Sequence, residues 1–147
     1  MLAPLLRPAL PATLTAAILR GISGKCPRCG EARLFRAFLK PIEHCPVCLQ
    51  DWTPQRADDM PPYISILITG HVLVPVIIYF GAVAPIPLWQ AMAICLTLAS
   101  VMMIGLLQPA KGGVIALQWW HGMHGFVPAG KAEAAQPARP ASGGPWG

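Results

Sequence analysis

Residues 26–48 read CPRCGEARLFRAFLKPIEHCPVC. Cys26, Cys29, Cys45 and Cys48 stand in it as C-x2-C-x15-C-x2-C, a spacing that brings two pairs of thiolates onto one ion. Four sulfurs complete a tetrahedral site that suits Zn2+ at a Zn–S distance of about 2.3 Å. Such a site leaves no position open for water or substrate, so the pattern predicts one structural zinc ion. Soft thiolates also accept iron or copper, and paired thiols can act as redox couples; both remain as rivals. Lys25 and Arg28 offset part of the negative charge of a four-thiolate centre, and Gly30 lets the backbone turn back beneath the metal. His44 adjoins Cys45 but is not needed as a ligand. The segment between the knuckles reads as a ribbon hairpin, with Leu34, Phe35, Phe38 and Leu39 as its small core. A module of this size, residues 25–57, does not fold on apolar burial alone, so the metal must contribute.

Beyond the ribbon, two stretches carry no charge. Tyr63 to Ala84 reads YISILITGHVLVPVIIYFGAVA, and Leu88 to Gln108 reads LWQAMAICLTLASVMMIGLLQ. Each matches the roughly 20 apolar residues that cross a hydrocarbon core of about 30 Å. A helix in a soluble core keeps a polar face, and neither run shows one. The reading is two transmembrane helices, 61–84 and 88–108, turned back on each other by Pro85-Ile86-Pro87. Composition agrees: 54% of residues are hydrophobic and only 12% are charged, where soluble domains carry about 25% charged. The basic balance, +5, is explained by topology and requires no nucleic-acid partner. Lys25, Arg28, Arg33, Arg36, Lys40 and Arg56 precede the first run, Lys111 follows the second, and the connector has none. The positive-inside rule then puts both termini in the cytoplasm.

Local signals refine the hairpin. Asp59 reads as the N-cap of the first span, with Pro61 and Pro62 in its opening turn. Pro75 denies the carbonyl of His71 its helical partner, so the helix should loosen there. Gly70 offers room for a neighbouring helix. An ionisable side chain inside a span is a functional candidate; for His71 the plainer reading is a bond to a backbone carbonyl one turn back, or to Thr97 or Ser100 across the hairpin. Cys95 reads as packing. Pro109, Gly112 and Gly113 then read as a break before VIALQWWHGMHGF, predicted to be a short interfacial helix, 113–126, with Trp119 and Trp120 at the membrane surface. His121 and His124 would share a face of that helix, as half of a metal or haem site at most. Residues 1–24 read as a leader, either flexible or with Thr13 to Ile22 as a short amphipathic helix lying on the membrane surface, and residues 127–147 as a disordered tail.

Three motifs, CPRCGEARLFRAFLKPIEHCPVC, RADDMPPYISILITGHVLVP and QPAKGGVIALQWWHGMHGF, occur in an order that closely resembles the bacterial family of domain of unknown function 983. The likeness runs from about Gly21 to Phe126. It departs from the family pattern at Leu49 and Met60, where that pattern usually has glycine. The resemblance implies a bacterial inner-membrane protein without an assigned activity, often encoded near haem–copper oxidase genes. It therefore suggests an assembly or scaffold factor for a respiratory complex, with a membrane-protein partner. The alternative is a metal-handling protein that passes ions through the cysteines, His71, His121 and His124. No nucleophile–base pair and no open metal site are visible, so the chain is not expected to be an enzyme. The expected fold is a small zinc ribbon plus an α-helical transmembrane hairpin and a short C-terminal amphipathic helix in the lipid bilayer.

Overall fold

A computed structural model describes residues 10–127. The predicted leader and tail therefore lie partly outside the described residues. Helix α1 (Leu14–Ile22) opens on Thr13, whose hydroxyl accepts from the Ala16 amide at 3.2 Å. Strands β1 (Phe35–Ala37) and β2 (Lys40–Pro41) form a two-stranded antiparallel sheet. Helix α2 (Met60–Ala82) and helix α3 (Leu88–His121) follow, and a 3-10 turn (Met123–Gly125) closes the described chain.

Helices α2 and α3 are long and apolar enough to cross a membrane, and they pack on each other as the antiparallel hairpin the sequence predicts. α2 runs on through Pro75 without ending. Asp59 does occupy the N-cap, but its carboxylate makes no capping bond. The reason is local: a cap bonds the amide of the second or third helical residue, and here those are Pro61 and Pro62, which have none.

The main departure from expectation is α3. Residues 88–108 and 113–126 do not form a span and a separate surface helix; one helix of 34 residues continues to His121. At 1.5 Å per residue it is about 51 Å long, some 20 Å more than the hydrocarbon core needs. Pro109 removes one intrahelical bond, and Gly112 and Gly113 each cost about 1 kcal/mol of helix propensity. Packing overrides these costs. α1 crosses α3 at Gly21 and Gly112, so closely that a Cβ on either glycine would collide with the backbone of the other. The glycines that read as a break are the contact that holds the two helices together. Gly70, read as the point of close approach, faces open space instead.

The distal end of α3 is the centre of the extramembrane core. Val114, Ile115, Ala116 and Trp119 are buried, together with Ala17 of α1 and Leu34, Phe35, Trp52 and Ala57 of the ribbon. Trp119 is therefore a core residue, and the expected position at the membrane surface does not hold. Trp52 stands edge-on to both Trp119 and Phe126, at ring-centroid distances of 5.9 and 5.8 Å. Phe126 returns to this cluster because Gly122 ends α3 in the left-handed region and reverses the chain. Gln118 adds a polar fastening. Its carbonyl oxygen accepts from the Arg56 amide at 3.0 Å, and its amide donates to the Arg56 carbonyl. The ribbon and its helices thus share one core.

Candidate metal centre

Two similar turns build the cysteine cluster. In the first, the Gly30 amide donates to the Cys26 carbonyl at 2.8 Å; in the second, the Leu49 amide donates to the Cys45 carbonyl at 2.9 Å. Both turns end in the left-handed region, at φ 74° for Gly30 and 57° for Leu49. Glycine adopts that conformation freely, whereas leucine bears a cost of about 1–2 kcal/mol. Gly30 has a second reason to lack a side chain: a Cβ there would press on the Arg20 guanidinium, 3.0 Å from Nε.

The turns bring all four sulfurs within 4.8 Å of one another, and all four cysteines are buried. Cys26 Sγ lies 3.8 Å from Cys48 Sγ, and Cys29 Sγ lies 3.7 Å from Cys45 Sγ. A disulfide needs about 2.05 Å, and the cysteines are free. A regular tetrahedron with Zn–S of about 2.3 Å has S···S edges of about 3.8 Å. The two close pairs match those edges, so the donor set fits a tetrahedral thiolate-bound ion.

The electrostatics ask for a cation. The Cys29 amide donates to the Cys26 sulfur, the Val47 and Cys48 amides to the Cys45 sulfur, and the Gln50 amide to the Cys48 sulfur. These bonds favour thiolates. Cys26 nevertheless binds its proton far more tightly than an ordinary thiol, because it shares it with Cys48 and because it is buried. Burial pushes Cys45 up to about 11. Cys48, accepting from Cys26, is held down to about 5. Four thiols packed this closely do not ionise together without a positive ion among them. Arg28 stands beside the cluster, 9% exposed, and donates to the Gln50 side chain at 3.1 Å. Arg20 reaches from α1 to donate to the Arg28 carbonyl at 3.0 Å, and so ties the helix to the first knuckle.

The remaining sequence candidates stay apart from this centre. No histidine or carboxylate joins the four cysteines among the described residues. His44 turns instead toward Asp51, 3.7 Å away. Burial would raise the Asp51 carboxyl, but bonds from the Thr53 amide and hydroxyl outweigh it and hold the group below its ordinary value. His71 Nδ1 lies 2.7 Å from the Leu67 carbonyl, one turn back, as its plainer reading expected. Thr97 and Ser100 bond to their own helix and not across the hairpin. His121 and His124 do not share a helix face. α3 ends between them, and His124 takes a left-handed conformation in the following turn. Phe38, expected in the ribbon core, is 53% exposed, because it sits in the tight β1–β2 turn beside left-handed Leu39. Trp52 and Gln118 fill the role that Phe38 does not. Their places are set by contacts between distant segments and carried no local signal.

A family model described as "Protein of unknown function (DUF983)" matches residues 35–119, from β1 to the buried end of α3. No curated protein and no solved structure matches the chain.

Proposed function

This chain belongs to the DUF983 family of proteins of unknown function, and we propose that it is a non-catalytic membrane scaffold that holds a zinc ribbon at a fixed height above two spans. The observation that carries this reading is the shared core. Trp119 and Gln118 of α3 are fastened to Trp52 and Arg56 of the ribbon, so the ribbon is a rigid extension of a span-forming helix. Cys26, Cys29, Cys45 and Cys48 would hold one Zn2+. Zinc supplies cross-linking there and no reactive site, because four thiolates fill its coordination. Basic residues on the ribbon side of the spans favour a cytoplasmic ribbon in the inner membrane of a bacterium. The client we assign is a respiratory haem–copper oxidase, on the gene neighbourhood that the family resemblance implies.

The deciding experiment deletes the gene in its native host and measures oxidase activity and subunit abundance, with metal analysis of the purified protein alongside. A scaffold predicts lowered subunit levels and one tightly held zinc per chain. Unchanged oxidase levels would remove the client. Copper or haem in place of zinc would favour a metal-handling protein.

A further inference from the structure

The outer edges of the hairpin carry polar side chains at mid-membrane depth. On α2, Ser65, Thr69, Leu73, Val76 and Phe80 form the more buried face, toward α3. His71 comes two residues after Thr69, a rotation of about 200°, and is exposed on the opposite side. On α3 the half-buried face is Ala91, Cys95, Leu98, Met102 and Leu106. Thr97 and Ser100 each come two residues after a member of that face and are likewise exposed.

The depths agree. His71 lies 11 residues before the α2 end at Ala82, and Thr97 and Ser100 lie 9 and 12 residues after the α3 start at Leu88. At 1.5 Å per residue these are about 17 Å for His71 and about 14 and 18 Å for the hydroxyls, measured from the connector. Their hydrogen bonding is complementary. A carbonyl only accepts, so the contact with Leu67 puts the ring proton on Nδ1. In that tautomer Nε2 is left as a bare acceptor. Thr97 and Ser100 donate to the Ala93 and Leu96 carbonyls, both at 2.8 Å, and a hydroxyl can rotate its proton to a better acceptor.

We propose that copies of this chain associate side by side in the membrane, with the His71 edge of α2 seated against the Thr97–Ser100 edge of α3 in the next copy. The occupant is a second copy because the hairpin itself carries both halves of the interaction at one depth, on opposite edges. Gly70 and Val74 flank His71, and Gly70 has open space around it, so the incoming helix can approach closely. The contact joins two different faces, so it propagates into a ring or a short row and does not stop at a symmetric pair. This inference stands independently of the scaffold reading.

The test places a photo-cross-linking residue on the outer edge (Val74→benzoylphenylalanine) of the full chain in native membranes, with two differently tagged copies expressed together. Cross-links should join the two tags, extend beyond the dimer, and map to the partner copy between Ala93 and Ser100, the stretch of α3 level with Val74. His71→Leu should lower copy-to-copy cross-linking at least fivefold, while His71→Gln, which keeps an acceptor, should retain most of it. Unchanged protein level and bound metal in both variants would show intact folding. Cross-links that land only on lipid or on other proteins overturn the proposal. So does a His71→Leu variant that cross-links as well as the parent.

Discussion

The two ends of α3 are one helix with two kinds of surroundings, open at one end and packed at the other. From Leu88 to about Gln108 its apolar side chains point outward: Leu88, Trp89, Leu96, Val101 and Ile104 are each more than 60% exposed. From Gly112 to Trp119 almost every position is buried against α1 or the ribbon. Backbone geometry is the same along the whole length, and both ends are apolar. What differs is the partner: side chains at the first end suit hydrocarbon, and those at the second meet other segments of the chain. The lesson is that a helix leaving a membrane can serve as the core of the domain beyond it. A metal at the four cysteines would then share the stabilisation of the ribbon with this core, beside the contribution that the ribbon's size asks of it.

Four substitutions, two of them paired with a control on the same helix, would break or sharpen this contrast. The largest effect should come from Cys45→Ser. One lost thiolate opens the tetrahedron, and structural zinc in small peptides is worth about 10–16 kcal/mol. Bound metal in the purified protein should fall below roughly a tenth of the parent level, with α2 and the membrane part of α3 still inserted. Retention of full metal would mean that the four sulfurs are not the ligands.

Next is Trp119→Ala. Removing a buried tryptophan should destabilise the extramembrane core by about 3–5 kcal/mol, whereas Trp89→Ala, at an exposed position of the same helix, should leave that core unchanged. Hydrogen exchange of the ribbon amides in detergent reads both; equal effects would refute the division of α3. Gly112→Ala should loosen α1 from α3, because the added methyl meets the backbone of Gly21; overpacking of this kind costs about 1–3 kcal/mol. Gly105→Ala, in open space, should change little or help, and protease sensitivity of residues 10–24 distinguishes the two. The smallest effect is Leu49→Gly, which relieves a left-handed leucine and should stabilise the second knuckle by about 1 kcal/mol. Slower release of metal to a chelator would show it.

Legibility followed the range of the signal. The knuckles were readable because C-x2-C is a local motif, and α2 because its 23 residues are apolar throughout. The left-handed turn at residue 49 explains why glycine suits that place. The bounds of α1 were legible as an amphipathic run, but its seat was not: expected to be flexible or on the membrane surface, it packs instead on α3 through Gly21 and Gly112. The continuity of α3 was hidden, since Pro109 and Gly112-Gly113 are local helix breakers that only a distant contact with Gly21 makes useful. The Trp52–Trp119 contact and the Gln118–Arg56 fastening join residues more than 60 positions apart, and nothing near any of them in the chain announces the pairing.

Spacing and hydropathy alone therefore settle which residues can meet a metal and which runs are long and apolar enough to cross a membrane, because both depend on runs of neighbouring residues. How the ribbon is joined to the spans was decided by tertiary structure. Close-packed side chains from distant segments outweigh the 1 kcal/mol or so of local helix preference at each glycine, and they turn an apparent break into the axis of the extramembrane domain.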